Sequence, residues 1–113
     1  MPSDRSRKVL ATAKNYLELR GYEIIELNWR MSRYKVDIIG KKDNKIVFIE
    51  VNESPSYDHA SPVNTLTQAK LTHRKNAAEN WIIESKWTGQ YKLSSIEIDH
   101  ASLAVLSFSD QSI

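Results

Sequence analysis

The first clear pattern along the chain is helical. Between Ser6 and Arg20 the apolar residues Val9, Leu10, Ala13, Tyr16 and Leu17 recur every three or four positions. That spacing predicts a helix with Ser6 as its N-cap and Gly21 just past its end. The period then changes. Tyr22–Asn28 (YEIIELN), Arg33–Gly40 (RYKVDIIG) and Lys45–Asn52 (KIVFIEVN) carry the β-branched and aromatic residues of strands. Residues 29–32 are expected to connect the first two. Lys41-Lys42-Asp43-Asn44 reads as a tight turn, so the second and third strands should form a hairpin.

Residues 53–65 (ESPSYDHASPVNT) are polar, carry two prolines and show no apolar period, which predicts a long loop. A second helix is expected over Thr67–Ser85, with Thr67 as N-cap. Leu71, Ala78, Trp81 and Ile82 lie on one face, and Lys70, His73 and Arg74 on another. Beyond Trp87-Thr88-Gly89, Tyr91–Ile98 and Leu103–Phe108 read as strands separated by an Asp99-His100 turn. The order is α-β-β-β-α-β-β, an α/β domain with a mixed central sheet flanked by helices.

Composition bounds this reading without changing it. The chain has 113 residues, enough for one domain spanning 1–113 with a core at about 6–108, and too few for two. It has no cysteine, hence no disulfide framework. No apolar run approaches the ~18 residues of a membrane span, and the first residues lack a signal-peptide pattern. A soluble, cytoplasmic protein with no membrane partner is expected. The net charge is only +2, but residues 1–42 carry ten Lys/Arg against five Asp/Glu. That asymmetry suits a phosphate-rich partner, and it equally suits a solvated helix face with a basic turn.

The candidate chemistry is a pair of acids in apolar strand segments, Asp37 in VDII and Glu50 in VFIEV. Charged groups are seldom placed there without a partner or a task. A simple hairpin register pairing Gly40 with Lys45 sets Lys35 opposite Glu50 and Asp37 one diagonal step away. Two readings follow. The carboxylates converge on a hard cation such as Mg²⁺ or Mn²⁺ that cleaves a phosphodiester. Alternatively, Lys35 and Glu50 form a cross-strand ion pair while Asp37 bonds to backbone.

The segments YLELRGYEIIELNWR, VDII, IVFIEV, SPVNTLTQAK and AAENW resemble, in order and spacing, the YraN family of endonuclease-like proteins. The similarity spans roughly residues 10–98. The family is assigned to the PD-(D/E)-x-K, or restriction-endonuclease-like, superfamily, and the resemblance implies that fold and a nucleic-acid substrate. It implies that Asp37 and Glu50 are the metal-binding acids, and that Lys70 matches a lysine near the start of the second helix. It also marks departures. Asn52 stands where the E-x-K lysine is expected, Lys35 replaces an acid two residues before Asp37, and Leu10 aligns with an acid of the first helix.

The site expected from these residues comprises Asp37, Glu50, Asn52, Lys70 and Lys35, with Arg30, Arg33, Lys41, Lys42, Lys70, His73 and Arg74 as candidate nucleic-acid contacts. His59, His73 and His100 show no zinc-type spacing, and no glycine-rich phosphate loop or Ser/His/Asp arrangement points to a small-molecule cofactor. Three functions remain open. The first is a nucleic-acid-binding, endonuclease-like domain, on DNA rather than RNA, with a degenerate metal site. The second is an active Mg²⁺-dependent endonuclease with a relocated lysine, Lys35 or Lys70. The third is a scaffold kept for protein interaction. Charge and spacing name no oligomeric state.

Overall fold

Strand β3 (Lys45–Ser54) shows why the chain adopts two layers around one sheet. Its side chains alternate, so Ile46 and Phe48 face one side while Val47 and Ile49 face the other, and all four are buried. A strand that is apolar on both faces must be covered twice. Helix α1 (Asp4–Leu19) covers the Val47/Ile49 side with Val9, Ala13 and Leu17, and α2 (Gln68–Ser85) covers the Ile46/Phe48 side with Ala77, Ala78 and Trp81. The computed structural model describes residues 4–54 and 68–111. The expected Thr67 cap and most of the expected 53–65 loop lie outside the described residues, while Glu53 and Ser54 belong to β3.

The remaining strands are β1 (Glu23–Met31), β2 (Tyr34–Lys42), β4 (Gln90–Asp99) and β5 (Val105–Gln111). Among the described residues the sheet has the order β1-β2-β3-β4-β5. Only β3 and β4 pair in parallel, joined by the crossover that contains α2; the other neighbours are antiparallel. The element order and the mixed sheet are those predicted from the sequence. No helix among the described residues is long and apolar enough to cross a membrane.

Element ends follow local chemistry. Helix α1 stops in a Schellman-type cap, with Gly21 at φ 92°, the Tyr22 amide donating to the Leu17 carbonyl at 3.0 Å and the Gly21 amide to the Glu18 carbonyl at 3.1 Å. The helix begins at Asp4, not after Ser6, so Ser6 lies within it. Strand β1 runs through to Met31, and Trp29 is a buried strand residue in the core under α2 instead of part of a connection. Trp81 of α2 also reaches β1, its indole Nε1 donating to Glu26 Oε2 at 2.8 Å.

The hairpin between β2 and β3 departs from the expected register. Asp43 and Asn44 both have positive φ, 52° and 63°, so they form a two-residue turn of the kind that matches strand twist. Lys42 therefore pairs with Lys45 and Gly40 with Val47, not with Lys45. Asp and Asn tolerate the left-handed conformation, and the strands extend to the turn itself. The slip is two residues, which leaves every side chain on its predicted face but changes which ones sit level across the ladder.

Candidate functional site

In the observed register the pairing of β2 with β3 ends at Ile38 and Ile49. The next level in that register is Asp37 with Glu50, so the acids come closer than the diagonal placement expected from the sequence. Past this point the two strands no longer bond through their backbones, and the Asp37 side chain takes over: its Oδ2 accepts the Val51 amide at 2.8 Å. A carboxylate thus satisfies a β3 donor that β2 has left. The other oxygen, Oδ1, lies 3.2 Å from Lys35 Nζ, two residues away on the same strand. Lys35 consequently pairs with Asp37, and the expected Lys35–Glu50 ion pair is not what forms. Asn52 shares the face of Glu50 on β3, and its Nδ2 donates to Glu50 Oε1 at 3.4 Å.

Two cavities meet at this level, and Asp37 lines both. The smaller, of about 140 Å³, is on the α2 side and is shared by Asp37, Glu50, Lys35, His73 and Arg74. The larger, of about 620 Å³, lies on the α1 side. Arg7 and Leu10 of α1, Asn28 and Arg30 of β1, Lys35 and Asp37 of β2, and Glu53 of β3 contribute to its walls. Leu10, where the family resemblance leads one to expect an acid, packs partly against the α1-side core.

Arg74 changes the electrostatics of the acid pair. It sits one turn before Ala77 and Ala78 and two turns before Trp81, which places it on the buried stripe of α2, not on the solvent face with His73. Its Nη2 donates to the Ser94 carbonyl at 2.6 Å and to the Phe48 carbonyl at 3.4 Å, bridging β4 and β3 from below. Burial lowers the guanidinium pKa, and the negative charges of Glu50 and then Asp37 push the other way. The group remains a cation, since arginine is not deprotonated in proteins. Two acids, Asp37 and Glu50, thus face two cations, Arg74 and Lys35, and the four charges cancel.

The other candidates scatter along the fold. Arg33 stands over the Tyr34 ring at 5.3 Å, and the His73 ring lies 5.1 Å from the same tyrosine, forming a lip at the β1–β2 turn. Lys70 is exposed in the first turn of α2 and lines neither cavity. Lys41 and Lys42 are at the far end of β2, their ammonium groups over Trp87 at 5.3 Å and Tyr22 at 5.0 Å. From Lys35 to Lys41 is six residues, roughly 20 Å of strand, so these lysines do not converge with the acids. Arg7 was not singled out from the sequence. Its signal was the positive N-terminal segment, but only the packing of α1 over β1 and β3 shows which of those cations reaches the cleft.

The donor set does not fit a resident divalent cation. Mg²⁺ demands a near-octahedral oxygen shell. Both Asp37 oxygens are engaged, Glu50 accepts from Asn52, and Arg74 and Lys35 supply positive charge at the same place. Among the described residues no three of His, Cys, Asp and Glu gather where a metal ion could be held.

The fold is an α/β domain of order α-β-β-β-α-β-β with a mixed five-stranded sheet, and it carries the acids Asp37 and Glu50 where the pairing of β2 with β3 ends. The model of a family described as uncharacterised protein family UPF0102 matches residues 11–103, and the chain belongs to that family. A UPF0102 protein of Caldicellulosiruptor saccharolyticus is 34% identical over 87 residues, which cover 76% of this chain and 74% of that protein. Another, of Cytophaga hutchinsonii, is 32% identical over 90 residues, 80% of each chain.

Proposed function

We propose that the chain is a nucleic-acid-binding domain of endonuclease-like type, acting on DNA in preference to RNA, whose acid pair no longer holds a metal. The observation that carries this reading is the larger cleft, of about 620 Å³, with Arg7, Arg30 and Lys35 on its walls beside Asp37 and Glu53. Three cations on three different elements, spaced around one groove, can engage successive phosphates of a strand. The backbone is the part of a nucleic acid that such groups bind without sequence preference. When Lys35 turns from Asp37 to a phosphate, Arg74 still offsets part of the repulsion that the Asp37 and Glu50 carboxylates would exert on it.

The test is anisotropy of labelled duplex, single-stranded and junction DNA across a salt series. On duplex DNA three phosphate contacts give a slope of log affinity against log salt of about −2.7, and Arg30→Glu should reduce its magnitude by about 1. Lys41→Glu, at the other end of β2, should leave the slope within error. Binding that is absent, or insensitive to salt, would refute the reading and favour a protein-interaction scaffold. Plasmid cleavage in Mg²⁺ or Mn²⁺ that disappears in both Asp37→Ala and Glu50→Ala would replace it with a metal-dependent nuclease.

A further inference from the structure

We propose that Arg74 stands in for a metal: its guanidinium is the built-in cation of the Asp37–Glu50 pair, and it closes a latent divalent-cation site that opens when its charge is removed. The proposal deepens the reading of the acid pair given above and does not depend on nucleic-acid binding.

Arg74, Asp37 and Glu50 line one cavity of about 140 Å³. Arg74 reaches it from the stripe of α2 that otherwise carries Ala77, Ala78 and Trp81, all buried. A charged residue in such a stripe is tolerated when its charge and donors are matched. Nη2 is held by the carbonyls of Phe48 and Ser94, and the negative charges of Glu50 and Asp37 favour the cation.

The anchoring also fixes the cation in place. Ser94 is fully buried, so swinging Arg74 out would strip a donor from a carbonyl that water does not reach. A divalent ion entering the cavity would therefore meet a positive charge held by two strand carbonyls and unable to lose its proton. Lys35 differs on each count. Its side chain is 57% exposed, against 15% for Asp37, and it is free to rotate into solvent when a stronger cation arrives. Of the two cations, Arg74 is the one that excludes metal.

Removing Arg74 changes the charge of the site. With Arg74 and Lys35 present the four groups sum to zero. Without Arg74 the two carboxylates dominate, and one or two carboxylates completed by waters are an ordinary shell for Mg²⁺ or Mn²⁺. Glutamine at position 74 keeps a polar amide, two bonds shorter than the guanidinium, while discarding the charge.

The experiment is Mn²⁺ titration by calorimetry on the full chain, comparing the unmodified protein with Arg74→Gln, Arg74→Gln combined with Glu50→Gln, and Lys35→Ala. Arg74→Gln should bind one Mn²⁺ roughly tenfold or more tightly than the unmodified chain, and the added Glu50→Gln should abolish that gain. Lys35→Ala alone should change Mn²⁺ affinity by less than about threefold. A folded Arg74→Gln with no gain, or Lys35→Ala reproducing it, would overturn the assignment. If Arg74→Gln does not fold, the unmodified protein decides the matter through paramagnetic broadening of its amide NMR signals by Mn²⁺. The amides of Val51 and Asn52 should stay sharp, and selective broadening there would show that a metal enters with Arg74 in place.

Discussion

Replacing Asp37 by alanine should destabilise the chain even though it removes a charge from a mostly covered position. The side chain does structural work at the point where β2 and β3 part: Oδ2 receives the Val51 amide at 2.8 Å, and Oδ1 pairs with Lys35 at 3.2 Å. Leaving a partly buried backbone donor without an acceptor costs about 1–3 kcal/mol. The pair with Lys35, more than half exposed, contributes at most about 1 kcal/mol after solvent screening. Arg74 also loses one of its two balancing acids. The sum is a loss of about 1–4 kcal/mol for Asp37→Ala. Asp37→Asn keeps an oxygen for Val51 and should lose about 1 kcal/mol. Urea denaturation followed by far-UV circular dichroism measures both, with the midpoint falling and the slope unchanged. An Asp37→Ala protein as stable as the unmodified chain, or more so, would refute this reasoning. It would mean that the carboxylate is held at the cost of stability for a ligand.

Glu53 links Arg5 of α1 to His100 beyond β4, its Oε2 lying 3.1 Å from Arg5 and 2.7 Å from His100 Nδ1. Partial burial pushes its pKa up, but the hydrogen bonds from His100 and Arg5 and their charges outweigh it, and the net direction is down. The clasp therefore contributes stability above the ordinary carboxylate range and loses it as pH falls through the lower folded value. The stability difference between the unmodified chain and Glu53→Gln should shrink on acidification from about pH 6 to about pH 3. Gly89→Ala would put a methyl group 2.6 Å from the Trp87 ring, whose Nε1 donates to the Gln90 carbonyl at 3.0 Å. The ring must move, so a loss of about 1–3 kcal/mol and a shifted tryptophan emission are expected. Phe48 is 1% exposed and meets Trp81 edge-on at 5.6 Å, so Phe48→Ala should cost about 3–5 kcal/mol by urea titration.

Much of this was legible in the residues. The period of Val9, Ala13 and Leu17 marked α1, and the apolar run of KIVFIEVN marked the central strand, because burial on one stripe or on both faces leaves a direct trace in sequence. The acid pair was legible for the same reason, as charge inside apolar strands. Register was not. It hung on whether Asp43-Asn44 would take two left-handed conformations, a choice that tightens the turn and brings Asp37 level with Glu50. Arg74 was misplaced although its signal was present. Counting back from Trp81 through Ala78 or Ala77 lands on it, but an arginine looks like a solvent residue until its partners are seen. Those partners are two strand carbonyls and two acids, distant in sequence and brought together only by the β3-α2-β4 crossover. The long polar segment after Ser54 falls mostly outside the described residues.

The most direct measurement of the central claim, that the chain balances its own acid pair and binds a polyanion without metal, is DNA affinity across a KCl series in EDTA and again in Mn²⁺. Binding is expected in EDTA, with affinity falling as salt rises and, in Mn²⁺ kept far below the KCl concentration, affinities within about threefold. Binding that appears only with Mn²⁺, and is lost in Glu50→Gln, would contradict it.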